Sequence, residues 1–343
     1  MLYMALPKNI DFCCLALDGP SLEVPCTTTL LPGLTVSDSP APIELDDAWK
    51  SWLGTIQTDS FKQSSLVIMA QHCSPCAGAS ERIRSNIERR TRLLHYALIL
   101  EGRGYNSGGL LVGGNTSNGH LHVGPVTQGL TPCKHPEYRK YRSVSKSQLK
   151  RAAAMLVSLE HVYNHAPGSD YRRIRKGFNS WIQGVENVDP AQGLHSFVRA
   201  AEAIIRPTTT TRTGRAITKT FRTRGLTFTG RSRQNERLLQ QFYDLRSCIE
   251  HVKNVLPALH KPRGVSRDEA FAFRALQAEI FASTIYSRIF LNDGLREQLR
   301  TETRVEGFWR RRETNRRALW GKSIDLSAAA RREFSSTQPL DLL

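Results

Sequence analysis

The chain has 343 residues, enough for about two domains of ordinary size, and 40% of them are hydrophobic, which excludes a disordered chain. Forty-eight Lys and Arg against 31 Asp and Glu leave a formal charge of +17, which favours a polyanionic partner, nucleic acid or an anionic membrane surface. No run of about 18 apolar residues exists to span a bilayer, no basic segment precedes an apolar run at the start, and seven scattered cysteines form no disulfide framework. The expectation is therefore a reduced, cytoplasmic protein with no membrane partner.

Thr-, Pro- and Ser-rich stretches at 25–35 and 37–42 read as loops between short strands. A short helix over 44–57 and a buried strand over 65–71 follow. A longer helix over 79–100 has Ile83, Ile87, Leu94 and Ala97 among its apolar positions. Leu110-Leu111-Val112 and His120-Leu121-His122-Val123 flank Ser117-Asn118-Gly119, and Asn-Gly supplies the positive φ angles of a tight hairpin turn. Residues 1–145 thus read as a small α/β domain, of a kind that senses a trigger or selects substrate.

From Ser145 the pattern becomes helical. One apolar stripe runs through Leu149, Ala152, Leu156, Leu159 and Tyr163, and a second through Ile174, Phe178, Trp181 and Val185. A third, through Leu194, Phe197, Val198, Ala201, Ile204 and Ile205, is stopped by Pro207. A fourth helix carries Leu238, Phe242, Leu245, Ile249, Val252 and Leu256 at steps of four and three. Ser266-Arg267-Asp268-Glu269 is a capping box for a fifth helix, ending at a glycine stop near Gly294. The fold class is mainly α: residues 146–299 predict an antiparallel helical bundle, preceded by the α/β domain and followed by a basic C-terminal tail over 300–343.

Two basic pieces interrupt the helices. Residues 206–237 read as a Thr-rich loop with nine Lys and Arg against one acid, Glu236; the tail holds Arg310-Arg311-Arg312 and Arg316-Arg317 with Trp309 and Trp320 between. Such runs are either solvated surface or a track for a nucleic-acid backbone. In the second case Arg222, Arg224, Arg231, Arg233, Arg310, Arg311 and Arg312 contact RNA, and the tryptophans stack on bases.

The chemistry concentrates in Tyr243-Asp244-Leu245-Arg246-Ser247-Cys248-Ile249-Glu250-His251. At about 100° per residue, Tyr243, Arg246, Ser247, Glu250 and His251 cluster away from the apolar stripe. Arg246 and His251 are five residues apart, so about 140° separates them beyond a full turn, and a second copy is needed to complete the constellation. The plain alternative is an Arg246–Glu250 pair at i,i+4 with His251 exposed.

Arg-polar-x3-His after Tyr243-Asp244-Leu245 resembles the R-x4-6-H motif of HEPN domains. The helix with Glu202 in Ala201-Glu202-Ala203-Ile204-Ile205 resembles the second core helix of the ApeA-like HEPN group. The resemblance covers roughly residues 146–295, and 66–145 resembles the region preceding the domain in that group. It implies a metal-independent endoribonuclease that needs no cofactor. It also implies a homodimer that packs its two motif helices together, acting on RNA, transfer RNA included, in prokaryotic defence or stress. Carried onto this chain, His251 handles protons around the ribose 2′-hydroxyl, Arg246 holds the phosphoryl oxygens and Ser247 orients the pair, with Tyr243 and Glu250 in support. One departure is Val252, where a glycine is common in the group; its side chain is expected to narrow the space for RNA. A regulatory partner or trigger is implied as well, because an unrestrained ribonuclease harms its own cell. The rival reading is a non-catalytic dimeric module binding nucleic acid through the basic loop and tail.

Cys73-Ser74-Pro75-Cys76 has the spacing of a zinc half-site, with Cys133, His135, His120 and His122 as possible completions; buried or unpaired cysteines are the alternative. No phosphate loop, zinc-protease or serine-hydrolase motif is present.

Overall fold

The structure is a computed structural model and describes residues 9–40, 43–73, 81–102, 108–117, 120–128, 143–166, 168, 170–207, 214–260 and 265–334. It divides into two units, Met1–Cys133 with Tyr141–Glu160, and Lys134–Lys140 with His161–Leu343. Among the described residues the first has a small antiparallel sheet and three helices, and the second is helical.

In the first unit the elements run β1 (Ile10–Asp18), β2 (Thr28–Leu31), β3 (Leu34–Ser37), α1 (Asp47–Gln63), β4 (Leu66–Cys73), α2 (Glu81–Leu100), β5 (Gly108–Ser117), β6 (His120–Gln128) and α3 (Lys146–Tyr163), whose last turn passes into the second unit. Sheet order is β2-β3-β4-β1-β5-β6, antiparallel throughout. The hairpin anticipated around 117–120 forms, with Ser117 paired to His120.

β1 was invisible as a strand because both its faces are covered. Phe12, Cys14 and Ala16 join the core holding Leu53 and Phe61 of α1. Cys13, on the other face, accepts a hydrogen bond at its carbonyl from Thr91 of α2 (3.4 Å). A strand buried on both sides loses the alternation that marks a half-exposed one.

The second unit comprises α4 (Arg172–Glu186), α5 (Pro190–Ile205), α6 (Gly214–Thr229), α7 (Arg233–Glu250), α8 (Arg267–Leu291), α9 (Asp293–Gln298), α10 (Glu302–Arg310), α11 (Glu313–Trp320) and α12 (Leu326–Glu333). Local chemistry sets the starts. Asp189 caps α5 with Pro190 in its first turn, Ser232 caps α7 through the Asn235 amide (3.0 Å), and Ser266 caps α8 through that of Glu269 (3.1 Å). Helices α4 and α5 run antiparallel: Gly177 lies against Ala200 and Ala203, whereas Gly184, further along α4, lies against the earlier Phe197. At Gly177 a Cβ would sit 1.8 Å from the Tyr286 hydroxyl of α8, so three helices meet where only glycine fits.

Three expectations change. The Thr-rich basic stretch is helix over Gly214–Thr229 (208–213 lie outside the described residues), with Phe221, Leu226 and Phe228 buried. Thr220 and Thr223 turn their hydroxyls back onto the carbonyls of Ala216 and Lys219 (both 2.8 Å), which lets a β-branched polar segment stay helical. The tail forms α10–α12, and Trp309 and Trp320 are buried beside Phe228, so neither is free to stack on a base. Finally, α8 stops at Leu291, where Asn292 caps α9, and Gly294 lies inside that next helix. Among the described residues no helix is long and apolar enough to cross a membrane.

Candidate functional site

The end of α7 decides where the motif residues go. The Val252 N–H donates to the Ile249 carbonyl (3.1 Å) and the Lys253 N–H to that of Cys248 (2.8 Å), the two bonds of a Schellman closure. His251 is therefore the cap residue, exposed, at φ −100°, one residue beyond the last helical turn. Val252 takes the left-handed position at φ +52°, a place that favours glycine by about 1 kcal/mol. This reversal swings its side chain out of the apolar stripe to 95% exposure, so it does not fill a cleft. The stripe holds at Leu238, Phe242 and Leu245 and weakens at the half-buried Ile249.

The face carrying Arg246 is not solvated: α5 and α6 of the same unit cover it. Arg246 pairs with Glu202 of α5 (3.3 Å) and with Glu250 one turn ahead, and its guanidinium lies 5.9 Å from the Tyr243 ring centre. Tyr243 in turn packs against Phe221 of α6 (5.9 Å). Burial pushes the Glu202 carboxyl above the ordinary carboxylate range, and the charge of Arg246 opposes that shift. The Nε of Arg246 is sealed from solvent with no acceptor. Ser247 accepts the His251 amide through its main-chain carbonyl (3.1 Å). Arg246 thus turns to α5, while His251 stands at the open end of α7.

One histidine escaped the sequence reading. His195 of α5 has its Nε2 sealed without a partner. Burial, then the charges of Arg246 and Arg199, hold its pKa below the ordinary value, while Glu250 pulls the other way. The signal was present in the spacing: His195, Arg199, Glu202 and Arg206 follow at four, three and four, a polar stripe opposite the buried one.

That stripe borders a cavity of about 370 Å³ whose cations are Arg172, Arg173, Lys176, Arg199, Arg206 and Arg246. Two carboxylates, Glu202 and Glu302, share its wall. Its neighbourhood is braced by the end of α5. Arg173 donates to the carbonyls of Ala203 (3.4 Å) and Arg206, Trp309 to that of Ile204 (3.0 Å), and Arg224 to that of Ile205 (2.9 Å). Four carbonyls that a helix end leaves without partners are met by side chains, three of these bonds coming from cations suited to the negative end of the dipole.

The other basic residues go elsewhere. Besides its bond to Ile205, Arg224 pairs with Glu306 (3.4 Å) and lies 5.0 Å over Trp309; it lines a second cavity of about 440 Å³ with Lys219 and Arg316. Arg231 pairs with Glu313 (2.5 Å), and Arg311 donates to Gln298 (2.6 Å). Arg222 is half-buried, whereas Arg233, Arg310 and Arg312 are exposed. The structure does not gather these seven into one site.

Cys73 is exposed at the end of β4, and His120 and His122 are exposed on β6. Cys76, Cys133 and His135 lie outside the described residues. Among the described residues no three metal-ligating side chains gather.

No family model, no curated protein and no solved structure matches this chain.

Proposed function

We propose that the chain is a metal-independent endoribonuclease of the HEPN type that cleaves RNA through Arg246 and His251. The observation that supports this reading is the place of Arg246: the motif arginine forms part of the wall of a cavity bordered, among the described residues, by six cations, the kind of field a phosphodiester seeks. In this account RNA enters against Arg199 and Arg206, and a phosphoryl oxygen replaces one carboxylate on the Arg246 guanidinium. A guanidinium fork already serving two carboxylates can exchange one oxyanion acceptor for another. His251 at the open end of α7 takes the 2′-hydroxyl proton, the 2′-oxygen attacks phosphorus as the bond to the 5′-oxygen breaks, and that oxygen takes a proton from water, giving a 2′,3′-cyclic phosphate and a 5′-hydroxyl. A second copy completes the site by docking at the same helix end, where Val252 offers an apolar contact beside His251. Cleavage of RNA in the presence of a chelator, with loss of cleavage in His251→Ala, tests the proposal.

A second reading has its own observation. Arg246 is held by two carboxylates, which suits a structural cation as well as a catalytic one. A non-catalytic dimeric module would then bind nucleic acid through Arg233, Arg310 and Arg312. It calls for salt-sensitive binding that survives Arg246→Ala and His251→Ala.

A further inference from the structure

The cavity holds more positive charge than its own carboxylates offset. Arg173 pairs with Glu302 (2.6 Å), and Arg246 with Glu202 (3.3 Å) and Glu250. Arg172, Lys176, Arg199 and Arg206 are exposed at its rim and form no salt bridge among the described residues, Glu202 acting on Arg199 and Arg206 only at longer range. Arg206 caps the negative end of α5, which suits it, but the cations of α4 oppose the helix electrostatics. Arg172, Arg173 and Lys176 stand at the start of α4, whose first turn has no acid and whose cap residue, Tyr171, supplies no side-chain bond. Cations at that end add to the positive pole of the helix dipole. Such an arrangement disfavours the empty chain and is relieved by a bound anion.

The charge count narrows the ligand. A polynucleotide backbone brings about one negative charge per nucleotide, and a cavity of about 370 Å³ has room for roughly one nucleotide. A strand passing Arg199 and Arg206 toward Arg246 would leave Arg172 and Lys176, at the start of α4, unanswered. Three linked phosphoryl groups carry about four negative charges in the same space. No aromatic side chain lines the cavity among the described residues, so nothing there stacks on a base.

We propose that the cavity between α4 and α5 is a triphosphate site: it takes three linked phosphoryl groups and leaves the attached base unread. The shared chemistry has two sources, a free oligophosphate or nucleoside triphosphate, and the 5′-triphosphate end of an unprocessed RNA. This inference goes beyond the nuclease reading and does not depend on it, since its readout is binding.

The test is calorimetric titration of the full chain, without divalent metal, using orthophosphate, tripolyphosphate, ATP, and one short RNA bearing either a 5′-triphosphate or a 5′-hydroxyl. Tripolyphosphate binds one-to-one and at least about tenfold tighter than orthophosphate, and ATP matches it within about threefold. The double variant Arg172→Glu with Lys176→Glu, both exposed at the start of α4 where an acid suits the helix dipole, loses at least about tenfold in affinity. Its circular dichroism and Tm, unchanged or raised, show that it still folds. A 5′-triphosphate preference on the RNA assigns the site to transcript ends; equal RNA affinities beside tight ATP binding assign it to free oligophosphates. Tripolyphosphate binding no tighter than orthophosphate, or full affinity in the double variant, overturns the proposal.

Discussion

Glu202 of α5 and Arg246 of α7 form an ion pair at 3.3 Å with only 9% and 11% of their side chains exposed, and Glu250 engages the same guanidinium from the other side. The three groups are not equivalent. Glu202 depends on Arg246, while Arg246 has a second carboxylate to fall back on. Breaking a buried pair costs most when it strands a charge. Arg246→Met should therefore destabilise the chain by about 3–5 kcal/mol, and Glu202→Gln by about 1 kcal/mol. The double variant should cost less than the sum, because neutralising Glu202 removes the charge that Arg246→Met strands. Urea denaturation of the four proteins measures this; equal costs for the two single variants would contradict it.

His195 makes stability depend on pH with a definite sign. Burial and the charges of Arg246 and Arg199 hold its folded pKa below the unfolded value of 6.5. As pH falls through that window the unfolded chain takes up a proton that the native chain refuses, so the contribution present above pH 6.5 is lost on acidification. Urea midpoints recorded from pH 7.5 to 5 should fall for the wild type and fall less steeply for His195→Gln. Parallel curves would show that the imidazole does not titrate abnormally.

The left-handed Val252 is an unforced liability. With φ at +52° and its side chain 95% exposed, it has nothing to lose in packing and backbone strain to shed. Val252→Gly should raise stability by about 1 kcal/mol. A loss of stability would mean that the valine is covered in the protein as it exists in solution, which would favour the dimer contact.

Gly177 carries the opposite expectation. A methyl group there meets the Tyr286 hydroxyl, the Ala203 methyl (2.7 Å) and the Ala200 carbonyl (2.9 Å) at once. Tyr286 also donates to that carbonyl (2.8 Å), so it cannot swing away without leaving an acceptor unmet. Gly177→Ala should cost about 3 kcal/mol, at or above the usual penalty for overpacking. Tyr286→Phe on top should recover part of that loss, read as a rise in Tm relative to the single variant.

The helices α4, α5 and α7 were readable because each buries one stripe, and α8 because it opens on the Ser266 capping box. What escaped did so for physical reasons. α6 hides behind threonines whose hydroxyls bond inward, and its apolar positions are few. Trp309 and Trp320 stand among arginines in sequence, yet the cations over their rings come mostly from other helices: Arg224 of α6 lies 5.0 Å from Trp309 and Arg288 of α8 4.9 Å from Trp320, joined by the neighbouring Arg316 at 5.7 Å from Trp309. The local run of cations therefore said nothing of the tertiary partners that bury these rings. The candidate site was half legible. Arg246 and His251 stood out by spacing, whereas Glu202 was seen only as part of a helix pattern and His195 not at all, because their roles depend on which helix α7 packs against.

The most direct test of the nuclease account is incubation of the purified full chain with cellular RNA in excess chelator, followed by analysis of the new 3′ ends. The account predicts 2′,3′-cyclic phosphate ends from the wild type, none from His251→Ala, and a correctly folded variant by circular dichroism. Intact RNA with the wild type, or the same ends from His251→Ala, would contradict it.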